Sequence, residues 1–519
     1  MLGTNDPQAQ ILDAESVAGH LIKPESVYRK LAQMGDKLFD DDDFADLYHP
    51  DHGRHSVPPS LLAKVQLLQS LEGISDREAC QRVVTDLRWK VALKLPIDYE
   101  GFHNTVLVYF RQRLRTSAHP SRIFDWFRTL AEDSGLLDKK LKRVLDSTPV
   151  HSAVQTQDSF IMIRSAMGQL LKAMATPRSA GEIRKKLKRG DYDQLSGKPD
   201  IDWDREDERN RLMDELVTDA LAALHHLEGK RLKPEVRRCA DLLATVAGQD
   251  VEQNEDGKFK IRRGVAKSRV ISTVDPEVRH GRKSNRSRFD GYKAHVAVEP
   301  DTEIVTEVKV TPGNVHDSVP VPDLLPELDQ GQTTLTVLGD SAYGPGATRQ
   351  WFEEKGVTCF VKQPPERNST GGFPKSEFAI DLQNRTIVCP NNVSVTGTLG
   401  SKGSIRFKFP AIICNTCPLK LNCTKSERGR SVSVGPYEHL LAAARQLQTT
   451  PEFKPLYNGN RPTVERVISR LVRRGGRKAR YRGTVKVQAQ LELKAAAENL
   501  ARMFRLGLTV TPQGWTITI

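Results

Sequence analysis

The stretch Thr333 to Gly344, TTLTVLGDSAYG, decides how the chain reads. It is a short β-prone run that stops on Asp340 and is cut off by Ser, Tyr and Gly. It therefore offers a carboxylate at a strand tip, the place where α/β proteins keep their chemistry. Two other stretches present carboxylates that read as partners. VLDSTPVHS ends a strand on Asp146, although taken alone an Asp that opens an ordinary turn looks the same. RPTVERVISRLVRR presents Glu465 from a strongly basic helix.

From Gly291 the hydrophobic period is two. YKAHVAV and IVTEVKV are separated by EPDTE and predict a hairpin. TPGNVHDSVPVPDLLPEL predicts a loop followed by a helix. After the Asp340 strand come a helix at ATRQWFEEKG and a strand at VTCFVKQ. This order is that of an α/β, ribonuclease H-like mixed sheet, with Asp146 on its first strand and Asp340 on its fourth. In the third stretch Pro462 suits a first helical turn, and Val464, Val467, Ile468, Leu471 and Val472 form one apolar stripe. Arg461, Arg466, Arg470, Arg473 and Arg474 lie off that stripe. Between Arg461 and Arg482 nine Lys or Arg, Arg477 and Lys478 among them, surround a single acid, Glu465. Such a carboxylate is either an ion-pair partner or a metal ligand beside a phosphate track.

The remaining chain frames these elements. Residues 1–135 read as a helical domain: Pro58 and Pro59 open a helix over Leu61–Leu71, Gly73 ends it, and Ser75 with Glu78 forms a capping box for the next. Helix, turn and capped helix outline a helix-turn-helix, which predicts DNA binding, although plain helical hairpins share it. Trp89, Phe102, Phe110 and Leu114 are core candidates. Residues 139–505 form the catalytic domain, interrupted by a charged helical insertion at about 153–270 and a small Cys-rich insertion at about 375–435; 506–519 is a tail. The insertion holds an amphipathic helix over Arg209–Leu227 that Gly229 can cap. Cys389, Cys414, Cys417 and Cys423 are spaced C-x24-C-x2-C-x5-C. A structural Zn²⁺ site is the expectation; unrelated thiols or a redox pair are the alternatives.

A net charge of +13 and a pI near 9.3 suggest a polyanion as partner, or simply a basic soluble surface. No run reaches membrane-spanning length and no signal core opens the chain, so a cytoplasmic, nucleoid-associated location without membrane partners is expected. The three carboxylates suit phosphodiester cleavage. Mg²⁺ (or Mn²⁺) takes oxygen ligands, and a pair of such ions activates a water and stabilises the leaving oxygen.

SVPPSLLAKVQLLQSLEGISDREA, DLRWKVALKLP, LDST at Asp146, GYKAHVAVE, VTPGNVHDS, GDSAYG at Asp340 and the Arg461-x3-Glu465 spacing occur in order. On these motifs the chain resembles the bacterial insertion-sequence transposases of the DDE class. Related enzymes carry Tyr-x2-Arg-x3-Glu-x6-Lys. Here Tyr457 lies one residue too far upstream, and position 472 is Val with Arg473 beside it. The resemblance implies metal-dependent 3′-end cleavage at terminal inverted repeats and strand transfer into target DNA, performed by a synaptic homodimer. It implies that Asp146 and Asp340 bridge the metals, that Glu465 completes the site and that Arg461 stabilises phosphate. Arg466, Arg470, Arg473, Arg474, Arg477 and Lys478 are expected on DNA, and His316 and Asp317 of NVHDS in a capping or supporting role. Two rivals stand beside it: a catalytically inactive, zinc-stabilised DNA-binding derivative, and a metal-free recombinase using Tyr457 or Tyr481 as nucleophile.

Overall fold

A computed structural model describes residues 1–4, 13–137, 141–174, 176–193, 197–284, 286–330, 335–366, 372–512 and 514–517. Thr333, Thr334, Lys139 and Lys140, at the edges of two of the stretches above, lie outside the described residues.

The N-terminal part is helical. Helix α1 (Pro59–Glu72) ends on Gly73, whose φ of +70° a side chain would strain. Helix α2 (Asp76–Thr85) is capped by Ser75 Oγ, which accepts the Glu78 N–H. The capping box is half formed, because Glu78 reaches along the helix to Arg82 instead of back to the cap. Helices α3 (Thr105–Thr116) and α4 (Arg122–Asp133) follow. Trp89, Phe110 and Leu114 are buried as expected, and Phe102 is half-buried against the same core.

The central sheet contains β1 (Leu141–His151), β2 (Arg288–Val298), β3 (Val305–Pro312), β4 (Leu335–Gly339) and β5 (Thr358–Val361). Their order is β3-β2-β1-β4-β5, with a short strand at Arg279–Arg282 extending the β2 edge. Strands β1, β2 and β3 pair antiparallel, whereas β1, β4 and β5 run parallel. This mixed α/β sheet beside a helical N-terminal region is consistent with a ribonuclease H-like topology. The helix expected before β4 is instead two short 3₁₀ turns, Pro322–Leu324 and Pro326–Gln330. Prolines at 320, 322 and 326 remove the donors a longer α-helix needs there.

Both sheet faces are covered. On one, Val144, Val296 and Leu338 join a core shared with the N-terminal helices and with α7 and α8, defined below; on the other, Leu145, Ala297 and Val337 pack under Tyr343 and Phe352. Between β1 and β2 the insertion forms its own core from α5 (Ser159–Ala173), α6 (Glu206–Leu227) and a third helix, Pro234–Gln249. It is not purely helical, since Val251–Gln253 pairs with Phe259–Ile261. The stretch 375–435 is organised by apolar residues, not by its cysteines. Phe378, Ile387, Phe407, Phe409 and Val434 bury between two small antiparallel sheets, with the four cysteines half-buried around them.

The helix carrying Glu465, α7 (Phe453–Leu471), corrects one expectation, because it begins nine residues before Pro462. Phe453 stacks on Tyr457 at 5.5 Å and meets Phe360 of β5 at 5.8 Å, and this packing carries the helix through the proline. The donor that Pro462 lacks would have met the Asn458 carbonyl, and both residues lie on the exposed side of the helix, where water can answer that carbonyl. Helix α8 (Thr484–Arg505) then runs through the core against β3, α1 and α4.

Candidate active site

The two aspartates meet because of strand register. Leu145 of β1 pairs with Gly339 of β4, so Asp146 and Asp340 are the next residues on adjacent parallel strands. Side-chain alternation puts both on the face covered by α7. Asp340 also caps a 3₁₀ turn, Ser341–Tyr343, by accepting the Ala342 N–H at 3.0 Å. Asp146 accepts the N–H of Ser147 at 2.8 Å.

Helix α7 packs against β1, β2 and β4 and brings a cation to this pair. Arg461 Nη2 lies 2.9 Å from Asp146 Oδ2, and Arg461 Nη1 stands 3.7 Å from Glu465 Oε1, one turn along. Glu465 is exposed, with 63 % of its side chain in solvent. Arg461 Nη1 is buried and has no hydrogen-bond acceptor. Burial raises the pKa of Asp146, Arg461 opposes that rise and the negative charge of Asp340 adds to it. Burial works against the Arg461 charge, yet Asp146, together with Tyr457 and Glu465, more than offsets it and the guanidinium pKa is raised. The site is thus a pair of neighbouring carboxylates, one of which, Asp146, is held by a buried arginine.

Beneath the aspartates lies a network that sequence reasoning reached only in part. Asp317, flagged in NVHDS, accepts from Lys293 Nζ at 2.6 Å and from Ser147 Oγ at 2.7 Å. Burial pushes the Asp317 pKa up, but Lys293 prevails and holds it low. His316 caps its own loop through Ser318. Lys293, Ser147, His295 and Tyr343 were not singled out, although each sits inside a quoted motif. His295 is fully buried between Tyr343 and Thr311, and burial keeps its imidazole neutral. The available signal was a Lys and a His in the alternating β2 run, where neutral residues would bury at lower cost.

The other expected residues divide. Arg466 and Arg470 pair with Glu303, and Arg470 and Arg474 with the fully buried Glu498. Arg473, Arg477 and Lys478 are exposed. Tyr457 is buried, and burial raises its phenol pKa beside Arg461. Tyr481 packs 5.8 Å from Arg111. Cys389, Cys414, Cys417 and Cys423 are unoxidised and line one cavity with Phe378 and Phe409. Among the described residues no group of three or more His, Cys, Asp or Glu is arranged to hold a metal ion. The acidic oxygens of Asp146 and Asp340 nonetheless suit a hard divalent cation, and the Arg461 guanidinium already stands as a positive charge against Asp146.

No helix among the described residues is long and apolar enough to cross a membrane. No curated protein and no solved structure matches the chain. Two family models do. Residues 16–113 match one described as a transposase domain (DUF772), and residues 388–504, which include Arg461 and Glu465, match a transposase DDE domain. The two matches lie at opposite ends of the chain and each covers less than half of it; they mark those two segments as similar to transposase domains.

Proposed function

We propose that the chain is a DDE transposase that hydrolyses the 3′ ends of an element at its terminal inverted repeats and joins them to target DNA. The observation that carries this reading is the pair Asp146 and Asp340 on adjoining strand ends, faced by a helix bearing Arg461 and Glu465. Asp146 and Asp340 would hold Mg²⁺ or Mn²⁺, with Glu465 joining them from α7. The chemistry that such a group supplies is a water of lowered pKa and charge stabilisation at the leaving oxygen.

The chain's own residues do the rest. Arg461 anchors Asp146 through Nη2 and would stabilise phosphate at the site by its positive charge. Asp317, through Ser147, fixes the backbone that carries Asp146. Hydrolysis breaks the P–O3′ bond and leaves a 3′-hydroxyl, which in the joining step attacks a target phosphorus and displaces a second 3′-oxygen. Two ends must be handled together, so a homodimer on paired ends is part of the proposal. The raised phenol pKa and burial of Tyr457 speak against that residue as a nucleophile.

Cleavage of a duplex carrying the element's end should cease in chelator and in Asp340→Ala, while Asp340→Ala still binds the DNA. Cleavage that survives chelation overturns the reading. A structural Zn²⁺ on Cys389, Cys414, Cys417 and Cys423 belongs to the same proposal, motivated by their shared cavity. About one zinc per chain is expected by metal analysis, lost in Cys414→Ser/Cys417→Ser; a metal-free, folded chain refutes it.

A further inference from the structure

A second charged feature lies where the two ends of the chain meet. Gln69 and Ser70 of α1, Arg111 and Arg115 of α3, the segment Arg480–Tyr481, and Lys486, Gln490 and Lys494 of α8 line one cleft. Five of its lining residues are cations and none is an acid. Arg111 is met from behind by Asp76. The other four have no carboxylate in the cleft wall. Arg480 donates to the Gly73 and Ile74 carbonyls at 2.7 and 2.6 Å, which pins the turn between α1 and α2. Lys494 is 3 % exposed and donates to the Arg474 carbonyl. Burial, together with Arg480 and Arg474, lowers its pKa to about 8. Burial and the neighbouring Arg111 likewise depress Arg115.

Positive charge crowded this closely, with one carboxylate, Asp76, behind five cations, costs stability until an anion enters. The anion's class follows from what adjoins the cleft. Gln490 binds the Lys478 carbonyl and the Arg480 N–H, so the segment bearing the exposed cations Arg477 and Lys478 leads along the chain into the cleft wall at Arg480. A linear track of this kind fits a polymer of phosphodiesters better than a single small anion. We propose that this seam grips the backbone of the bound DNA through Arg115, Arg480 and Lys486, with the buried Lys494 adding positive charge behind them, so that one duplex ties the N-terminal helices to the catalytic sheet. The proposal rests on the transposase reading but makes a claim about binding rather than cleavage.

The test is fluorescence anisotropy of the full chain on a labelled duplex across NaCl concentrations, comparing the parent with Arg115→Gln/Lys486→Gln. Each lost phosphate contact lowers the slope of log K against log salt by about 0.9. The double variant should therefore lose about 1.8 in slope and roughly 10- to 100-fold in affinity near 0.1 M salt. Arg115→Lys/Lys486→Arg, which keeps both charges, should retain most of the slope. An unchanged slope in the Gln variant while the parent binds DNA overturns the seam and leaves the catalytic reading standing. Inorganic phosphate that stabilises the parent but not the Gln variant, with equal DNA binding by both, assigns the cleft to a free anion and also overturns it. A parent that binds no duplex overturns both readings.

Discussion

Arg461→Ala isolates the electrostatic logic of the site. The guanidinium lies 2.9 Å from Asp146, and the two side chains are only 12 % and 18 % exposed. At an effective dielectric constant of ~20 the gross attraction is about 4–6 kcal/mol. Deleting one partner of such a pair typically costs about 3–5 kcal/mol. Part of this is relieved because Asp146, already raised by burial and by Asp340, can take a proton instead of remaining an uncompensated anion. A loss of about 2–4 kcal/mol at pH 8 is expected by urea denaturation monitored near the sheet. The sign of its pH dependence follows. Without Arg461 the folded-state pKa of Asp146 rises further above the unfolded value, so the deficit is full above that folded pKa and shrinks as pH falls toward about 4. In an Asp146→Asn background the same Arg461→Ala change should cost about 1 kcal/mol or less, which makes the coupling about 1–3 kcal/mol. Additive single-variant losses, or a deficit independent of pH, would refute the assignment of Arg461 as the counter-ion of Asp146.

The remaining predictions concern the supports of the site. Glu307 on β3 has its pKa raised to about 7 by burial, and by Glu492 and Asp125, against the pull of Arg128 3.1 Å away. Its stabilising protonated form is fully present below about 4.5 and is lost as pH rises through 7. Glu307→Gln should therefore be more stable than the parent by about 1–3 kcal/mol at pH 8 and nearly equal to it at pH 5, by denaturation at each pH; equal stability at pH 8 counts against the burial argument. Asp317→Asn leaves the largely buried Lys293 without its counter-ion, for an expected loss of about 2–4 kcal/mol, with cleavage reduced and DNA affinity unchanged. Adding Lys293→Met should restore part of the stability; no restoration would contradict the pairing.

The sheet was legible because each strand announced itself by alternation and by a polar stop, and the order of elements left few ways to wind them. LDST and GDSAYG gave the strand tips, and the register of Leu145 with Gly339 made those tips neighbours. What the sequence hid were contacts between distant segments. Lys293 looks like a solvent-facing residue in an alternating run until Asp317, twenty-four residues on, is folded against it. The arginines after Glu465 read as a single DNA track, yet Arg466, Arg470 and Arg474 are drawn into pairs with Glu303 and Glu498. Neither acid has a sequence signature for that role. Pro462 misled for a related reason, since a helix start is written locally but the aromatic packing of Phe453, Tyr457 and Phe360 comes from three separate places.

The central claim, that Asp340 ligates a catalytic divalent ion at DNA, is tested most directly by exchanging its hard oxygen for sulfur. Asp340→Cys should bind DNA as the parent does, fail to cut the duplex end in Mg²⁺, and recover cleavage in Mn²⁺, which accepts thiolate more readily. Full activity of Asp340→Cys in Mg²⁺ would contradict the account.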